Sequence, residues 1–205
     1  AFVAQLSADG SSLQYSTYYG GSLSDDASIS GIALDDAGVV YVIGGTSSVD
    51  LPTLGAYDDT LTGARDVFVA KFDPGIAGAG GLLYASYIGG TDGSGYDQAR
   101  GIAVDTGGHI YVAGSTSASD SPTTAGAYQT AWDSYNMTSD GFLVELDPDV
   151  AGSGGLLDAC YFGGTVGRGF VQGRGLAVDM NGHIYVAGST SASDSPSTAG
   201  AYQTA

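Results

Sequence analysis

The best oxygen-donor sets in this sequence lie in the loops that follow each double glycine. TDGSGYDQARG at 91–101 offers Asp92, Ser94 and Asp97, and SLSDDASISG at 22–31 offers Asp25 and Asp26. Short oxygen side chains in a Gly-rich loop suit a hard cation, Ca²⁺ above all. The third such loop, TVGRGFVQGRG at 165–175, has no acid and carries Arg168 and Arg174 instead. The spacing also departs from an EF-hand. Ca²⁺ at these positions is therefore one expectation, and ordinary Asp turn chemistry is the competing one. Asn136-Met137-Thr138 is a glycosylation sequon in a Ser/Asp-rich connection expected at the surface, although such triplets also arise by chance.

Catalytic chemistry is harder to find. His109 and His183 occupy equivalent places after a turn glycine, and Val39 takes that place in the first copy. A repeated position that accepts valine points to a structural histidine. Cys160 aligns with Ser86 and Thr17 and reads as a small strand filler; being alone, it cannot form a disulfide within one chain. Paired carboxylates for glycoside hydrolysis are at background in an Asp-rich chain. No nucleophile, base and acid come together, so no enzyme is expected.

Composition narrows the partners. The 205 residues hold 35 glycines, 22 acids and only five basic residues, for a net charge of −17. Phosphate binding needs clustered Lys and Arg, so nucleic acid is excluded as a partner. Glu145 is the sole glutamate; the remaining acids are aspartates, the residue of turns and caps. No apolar stretch is long enough to span a membrane. The opening AFVAQL reads as a strand rather than an export leader, so any such signal is expected to have been removed.

The elements that would position these residues come in triplicate. GIALD, GIAVD and GLAVD start at 31, 101 and 175. YSTYYGG, YASYIGG and DACYFGG start at 15, 84 and 158; AFVAQL, VFVAKF and GFLVEL at 1, 67 and 141; VYVIGGTSS, IYVAGSTSA and IYVAGSTSA at 40, 110 and 184. The units are 1–66, 67–140 and 141–205, repeats of about 65–74 residues. Each holds four β-branched and aromatic runs divided by Gly, Asp and Ser, which is a strand pattern with turn punctuation. GIAVD-TGG-HIYVAG reads as a hairpin through Asp105–Gly108, and FVAKF pairs with LLYASYIGG across GIAGAGG. Helix is expected to be almost absent, with room for one turn in LPTLGAYDDTLTG and in SPTTAGAYQTAWDSYNMTS. Arg100 and Arg174 are expected to pair with nearby aspartates. Tyr18, Tyr87 and Tyr161, at equivalent strand positions, are expected to pack within blades.

The fold class is thus all-β, with four-stranded antiparallel blades of the β-propeller type. YSTYYGG, GIALD, VYVIGGTSS, P-T-x-GAY and FVAKF closely resemble the SBBP repeats, β-propeller repeats of secreted and surface proteins. That resemblance covers all three units and implies an extracellular or cell-surface location, but no shared reaction.

If a blade runs GIAVD, HIYVAG, FLVEL and LLDACYFGG in chain order, the cut points are offset. The chain opens with the second half of a blade, continues through two whole blades, and finishes on a first half. The complementary ends are Phe2, Val3, Ala4, Gln5 and Leu6 on one side and Ile184, Tyr185, Val186 and Ala187 on the other. Propellers typically need about 4–8 blades, so closure within one chain is not expected. A six-bladed two-chain ring, a head-to-tail filament, or membership in a longer protein remain, with self-assembly favoured. The expected partner is a second copy of the chain; a glycan or Ca²⁺ ligand within a larger secreted protein is the alternative.

Overall fold

The computed structural model describes residues 1–23, 29–92, 96–132, 139–164 and 171–203. Its strands fall into four antiparallel sheets. β1 (Phe2–Leu6) and β2 (Leu13–Tyr18) form a two-stranded sheet. β3 (Gly31–Leu34), β4 (Val40–Thr46), β5 (Asp66–Phe72) and β6 (Leu82–Ile88) form a four-stranded one, hydrogen-bonded in chain order. β7 (Gln98–Val104), β8 (Ile110–Thr116), β9 (Asp140–Leu146) and β10 (Leu156–Phe162) repeat it. β11 (Val171–Val178) and β12 (Ile184–Thr190) form a second two-stranded sheet. Two complete blades are therefore flanked by two half-blades, each blade hydrogen-bonded in chain order.

Packing follows the pleat. Successive side chains of a strand point to opposite faces, and both faces of the first complete blade are covered. Val40, Val42, Phe68, Ala70 and Phe72 pack toward Val3 and Tyr19 of the first half-blade region. The alternate residues Tyr41, Ile43, Val67 and Val69 pack toward Ile110, Val112, Phe142, Val144 and Leu146 of the second blade. A strand buried on both faces needs a continuous apolar run, which VYVIGGT supplies. β11 in turn packs on β7 and β8.

The turns use the residues expected of them. Gly108 sits at φ 86°, in the left-handed region that favours glycine. The Asp105 carboxylate accepts the backbone N–H groups of Gly107 and His109 at 2.8 and 2.9 Å, closing the β7–β8 hairpin. Asp35 and Asp179 do the same in the other copies. The ladder of β7 on β8 shifts between Ala99 and Gly101, which leaves Arg100 as the extra residue of a bulge; Arg174 is its counterpart.

One expectation is corrected. The helical turns lie at Gly78–Gly81 and Gly152–Gly155, in the loops between the third and fourth strands. The long connections contain none among their described residues. Instead they run along the outer edge of each blade. Leu54 and Ala85 exchange hydrogen bonds of 3.1 and 2.9 Å, and the Tyr87 N–H donates to the Asp58 carbonyl. In the second blade Thr124 and Gln129 bond to Ala159 and Tyr161 in the same way. The connection thus covers a sheet edge that would otherwise be bare.

Candidate functional site

β8 and β12 have the same sequence, IYVAGST, and opposite environments. All seven residues of β8 are buried, whereas six of seven in β12 are exposed and the other is half-buried. β8 is hydrogen-bonded to β7 on one edge and to β9 on the other. Among the described residues β12 is paired with β11 alone. The first half-blade shows the matching deficit. Phe2 is 66% exposed where its counterpart Phe68 is 1% exposed, and Tyr18 is 90% exposed where Tyr87 and Tyr161 are at 0% and 1%.

The tyrosines show what the half-blades lack. The Tyr87 hydroxyl donates to the Ser48 carbonyl, and that of Tyr161 to the Ala118 carbonyl, each in the loop after the second strand of its own blade. Tyr18 packs within no complete blade, so the expectation of blade packing holds for Tyr87 and Tyr161 only. The loop position equivalent to Ala118 and belonging to a half-blade is Ala192, beyond β12.

A second cluster stands at the turn end of the second blade. His109 Nδ1 lies 3.1 Å from Asp105 Oδ2 and 3.5 Å from Glu145 Oε1. The Tyr111 hydroxyl reaches both carboxylates, at 3.2 Å from Asp105 and 2.9 Å from Glu145. Burial opposes ionisation of Asp105, yet the His109 backbone N–H, the imidazole and the Tyr111 hydroxyl together hold its carboxyl below the ordinary range. Burial and the Glu145 hydrogen bond push the Tyr111 phenol up, so it stays a protonated donor. Nearby, a cleft of about 400 Å³ opens between the two complete blades, lined by Asp35, Asp36, Tyr41, Lys71, Asp105 and Asp149 among others.

A family model described as SBBP, β-propeller repeat, matches residues 14–52, 83–120 and 161–194, more than half of the chain. The chain belongs to the SBBP β-propeller repeat family. Each SBBP match runs from the outer strand of one blade into the first two strands of the next, so the family's unit straddles a blade boundary. No curated protein matches the chain. No helix among the described residues is long and apolar enough to cross a membrane.

The other candidate residues of these SBBP repeats are placed as follows. Asp25, Asp26, Ser94 and Asn136 lie outside the described residues. The Asp92 carboxylate accepts the Ser119 backbone N–H and hydroxyl, while Asp120 accepts the N–H groups of Thr91 and Asp92. Asp97 is buried; its Oδ2 accepts the Gly90 N–H at 3.1 Å, and Oδ1 has no partner among the described residues. Burial, reinforced by the charges of Asp66 and Asp120, pushes the Asp97 carboxyl up to about 7. Among the described residues the one group of three potential metal ligands is Asp105, His109 and Glu145.

Cys160 is buried and its thiol pushed up to about 11 by burial, an inert filler as its alignment with Ser86 implies. Arg100 and Arg174 donate to Gln98 and Gln172, two residues earlier on the same strand, at 2.7 Å each. Neither forms an ion pair with aspartate among the described residues, a correction: each guanidinium is engaged by the glutamine two positions earlier on its own strand.

Proposed function

We propose that this is a non-enzymatic structural or adhesive propeller protein of the cell exterior, which self-assembles by completing blades between copies. The observation that carries the reading is the identical heptapeptide, enclosed in β8 and open in β12. In both complete blades the second strand pairs with the third in one register: Val40↔Phe72 through Thr46↔Asp66, and Ile110↔Leu146 through Thr116↔Asp140. Transferred to β12 and to β1 of another copy, that register sets Ile184 opposite Leu6, Val186 opposite Ala4 and Ala187 opposite Val3. Phe2, Ala4 and Leu6 then correspond to Phe142, Val144 and Leu146, which pack on the preceding blade.

The segment after β12 contributes the edge cover. Its turn is already formed, with the Ala201 N–H bonded to the Thr198 carbonyl as Ala127 is to Thr124. In the completed blade it lies along β2, and Tyr18 reaches the Ala192 carbonyl. This is strand addition between copies. Phe2, Leu6, Leu13, Tyr18, Tyr185 and Val186 are large apolar side chains exposed on the strands of the two half-blades. At about 1.5–3 kcal/mol for each one fully buried, their enclosure is on the order of the 4–15 kcal/mol that association costs. The hydrogen-bonded ladder sets the register.

Sedimentation of the 205-residue chain tests this: a dimer or polymer is expected, and a two-residue change, Phe2→Asp with Tyr18→Ala, is expected to return it to monomer. A wild-type monomer at micromolar concentration would overturn the reading. The inter-blade cleft at Asp35, Tyr41 and Lys71 favours a second reading, a glycan-binding propeller segment, because carboxylates and a tyrosine there present hydrogen-bond partners for sugar hydroxyls. Oligosaccharide titrations that leave the Tyr41 resonances unmoved would remove it.

A further inference from the structure

We propose that Asp105, His109 and Glu145 bind a divalent transition-metal ion of the zinc class, one per chain. Metal–ligand bonds of about 2.0–2.2 Å place neighbouring ligand atoms roughly 2.9–3.6 Å apart in a tetrahedral or octahedral shell. His109 Nδ1 stands at 3.1 and 3.5 Å from the two carboxylate oxygens, and the three ligand atoms all lie within 4.8 Å of one another. One imidazole nitrogen with two carboxylates selects zinc, cobalt or nickel over Ca²⁺, which takes oxygen ligands alone. The site is thus distinct in chemistry and place from the loops at 22–31 and 91–101.

The surroundings orient the ligands. Asp105 Oδ1 is committed to the Gly107 and His109 backbone N–H groups, which leaves Oδ2 facing the imidazole. The Tyr111 hydroxyl lies within hydrogen-bond distance of the same two oxygens, Asp105 Oδ2 and Glu145 Oε1, and its proton can support either, as metal-ligating carboxylates commonly are supported. All three side chains are partly exposed, at 35% for His109 and 19% for each acid, so an ion can enter and water can fill the remaining positions.

The chain carries its own controls. The first blade has Asp35, Val39, Tyr41 and Lys71 at the four corresponding positions; valine removes a ligand and lysine repels a cation. The last half-blade keeps Asp179, His183 and Tyr185, with His183 2.9 Å from Asp179, but has no third strand among the described residues to bring an acid. Glu145, the only glutamate of the chain, is what completes the set in the second blade.

Titrating the untagged chain with Co²⁺, read by its visible absorption and reversed by Zn²⁺, tests the assignment. One equivalent is expected to bind, with loss of saturable binding in His109→Val and in Glu145→Lys, and no change in His183→Val. The first two substitutions install what the first blade already carries; far-UV circular dichroism checks that each variant folds, and either folded variant suffices. Tyr111→Phe is expected to weaken binding roughly 10–100-fold. Absence of a saturable band, or a band that survives His109→Val or falls equally in His183→Val, overturns the proposal. The measurement reads the same whether or not copies assemble.

Discussion

β8 and β12 form a controlled comparison made by the molecule itself: seven identical residues, two environments. What separates them is supply rather than propensity. β8 gains β9 on its free edge and a further blade on its face, and the connection that follows it covers the outer edge of the same blade at β10. β12 gains only β11. Local sequence therefore specifies a strand in both places, and tertiary partners decide whether that strand becomes core.

The comparison can be broken most strongly at the tyrosines. Tyr87→Ala removes a fully buried ring together with its hydroxyl contacts and is expected to destabilise the fold by about 3–5 kcal/mol in urea unfolding. Tyr18→Ala, at the equivalent exposed position, is expected to change the stability of the isolated monomer by less than about 0.5 kcal/mol. Equal effects in a monomer would mean that the first half-blade is already enclosed.

A second pair contrasts Asp97 with Val171, its counterpart one repeat later. An acid whose pKa in the fold is raised from 3.8 to about 7 keeps its proton in the folded state while the unfolded chain loses it. Stability is then highest below about pH 4, falls as pH rises toward 7, and levels beyond. Asp97→Asn is expected to flatten that slope and to gain roughly 2–4 kcal/mol at pH 8. Urea midpoints measured from pH 4 to 8 check it; a wild-type stability that rises across this window contradicts the burial argument.

The smallest effect is expected at the turns. Gly108 and Gly182 hold φ of 86° and 80° with open space where a Cβ would sit, so each Gly→Ala change is expected to cost about 1 kcal/mol from backbone conformation alone. Loss of Gly108 lowers the stability of a complete blade, whereas loss of Gly182 frays a half-blade, visible as faster amide exchange confined to β11 and β12.

Much of this fold is legible in the sequence because each strand is written three times. The hairpin at Asp105–Gly108 and the offset of the ends follow from aligned runs, whereas the strand order within a blade is set by the hydrogen-bonded ladders and is not written in those runs. Less legible is anything that depends on where a long connection goes: nothing in LPTLGAYDDT announces that Leu54 and Asp58 will pair with Ala85 and Tyr87. The cluster at His109 hides for a related reason. The valine at position 39 makes the histidine look dispensable, and Glu145 arrives from a strand 36 residues away through a register that no local pattern encodes. The burial of Asp97 is likewise a product of packing, since the loop around it reads as exposed turn chemistry.

In the proposed assembly β12 is completed by β1 of another copy. Sedimentation velocity of the 205-residue chain against the chain carrying Phe2→Asp and Tyr18→Ala tests it most directly. A concentration-dependent dimer or polymer is expected for the first and a monomer with unchanged circular dichroism for the second. A first chain that stays a monodisperse monomer up to tens of micromolar, or a second that assembles equally well, contradicts it.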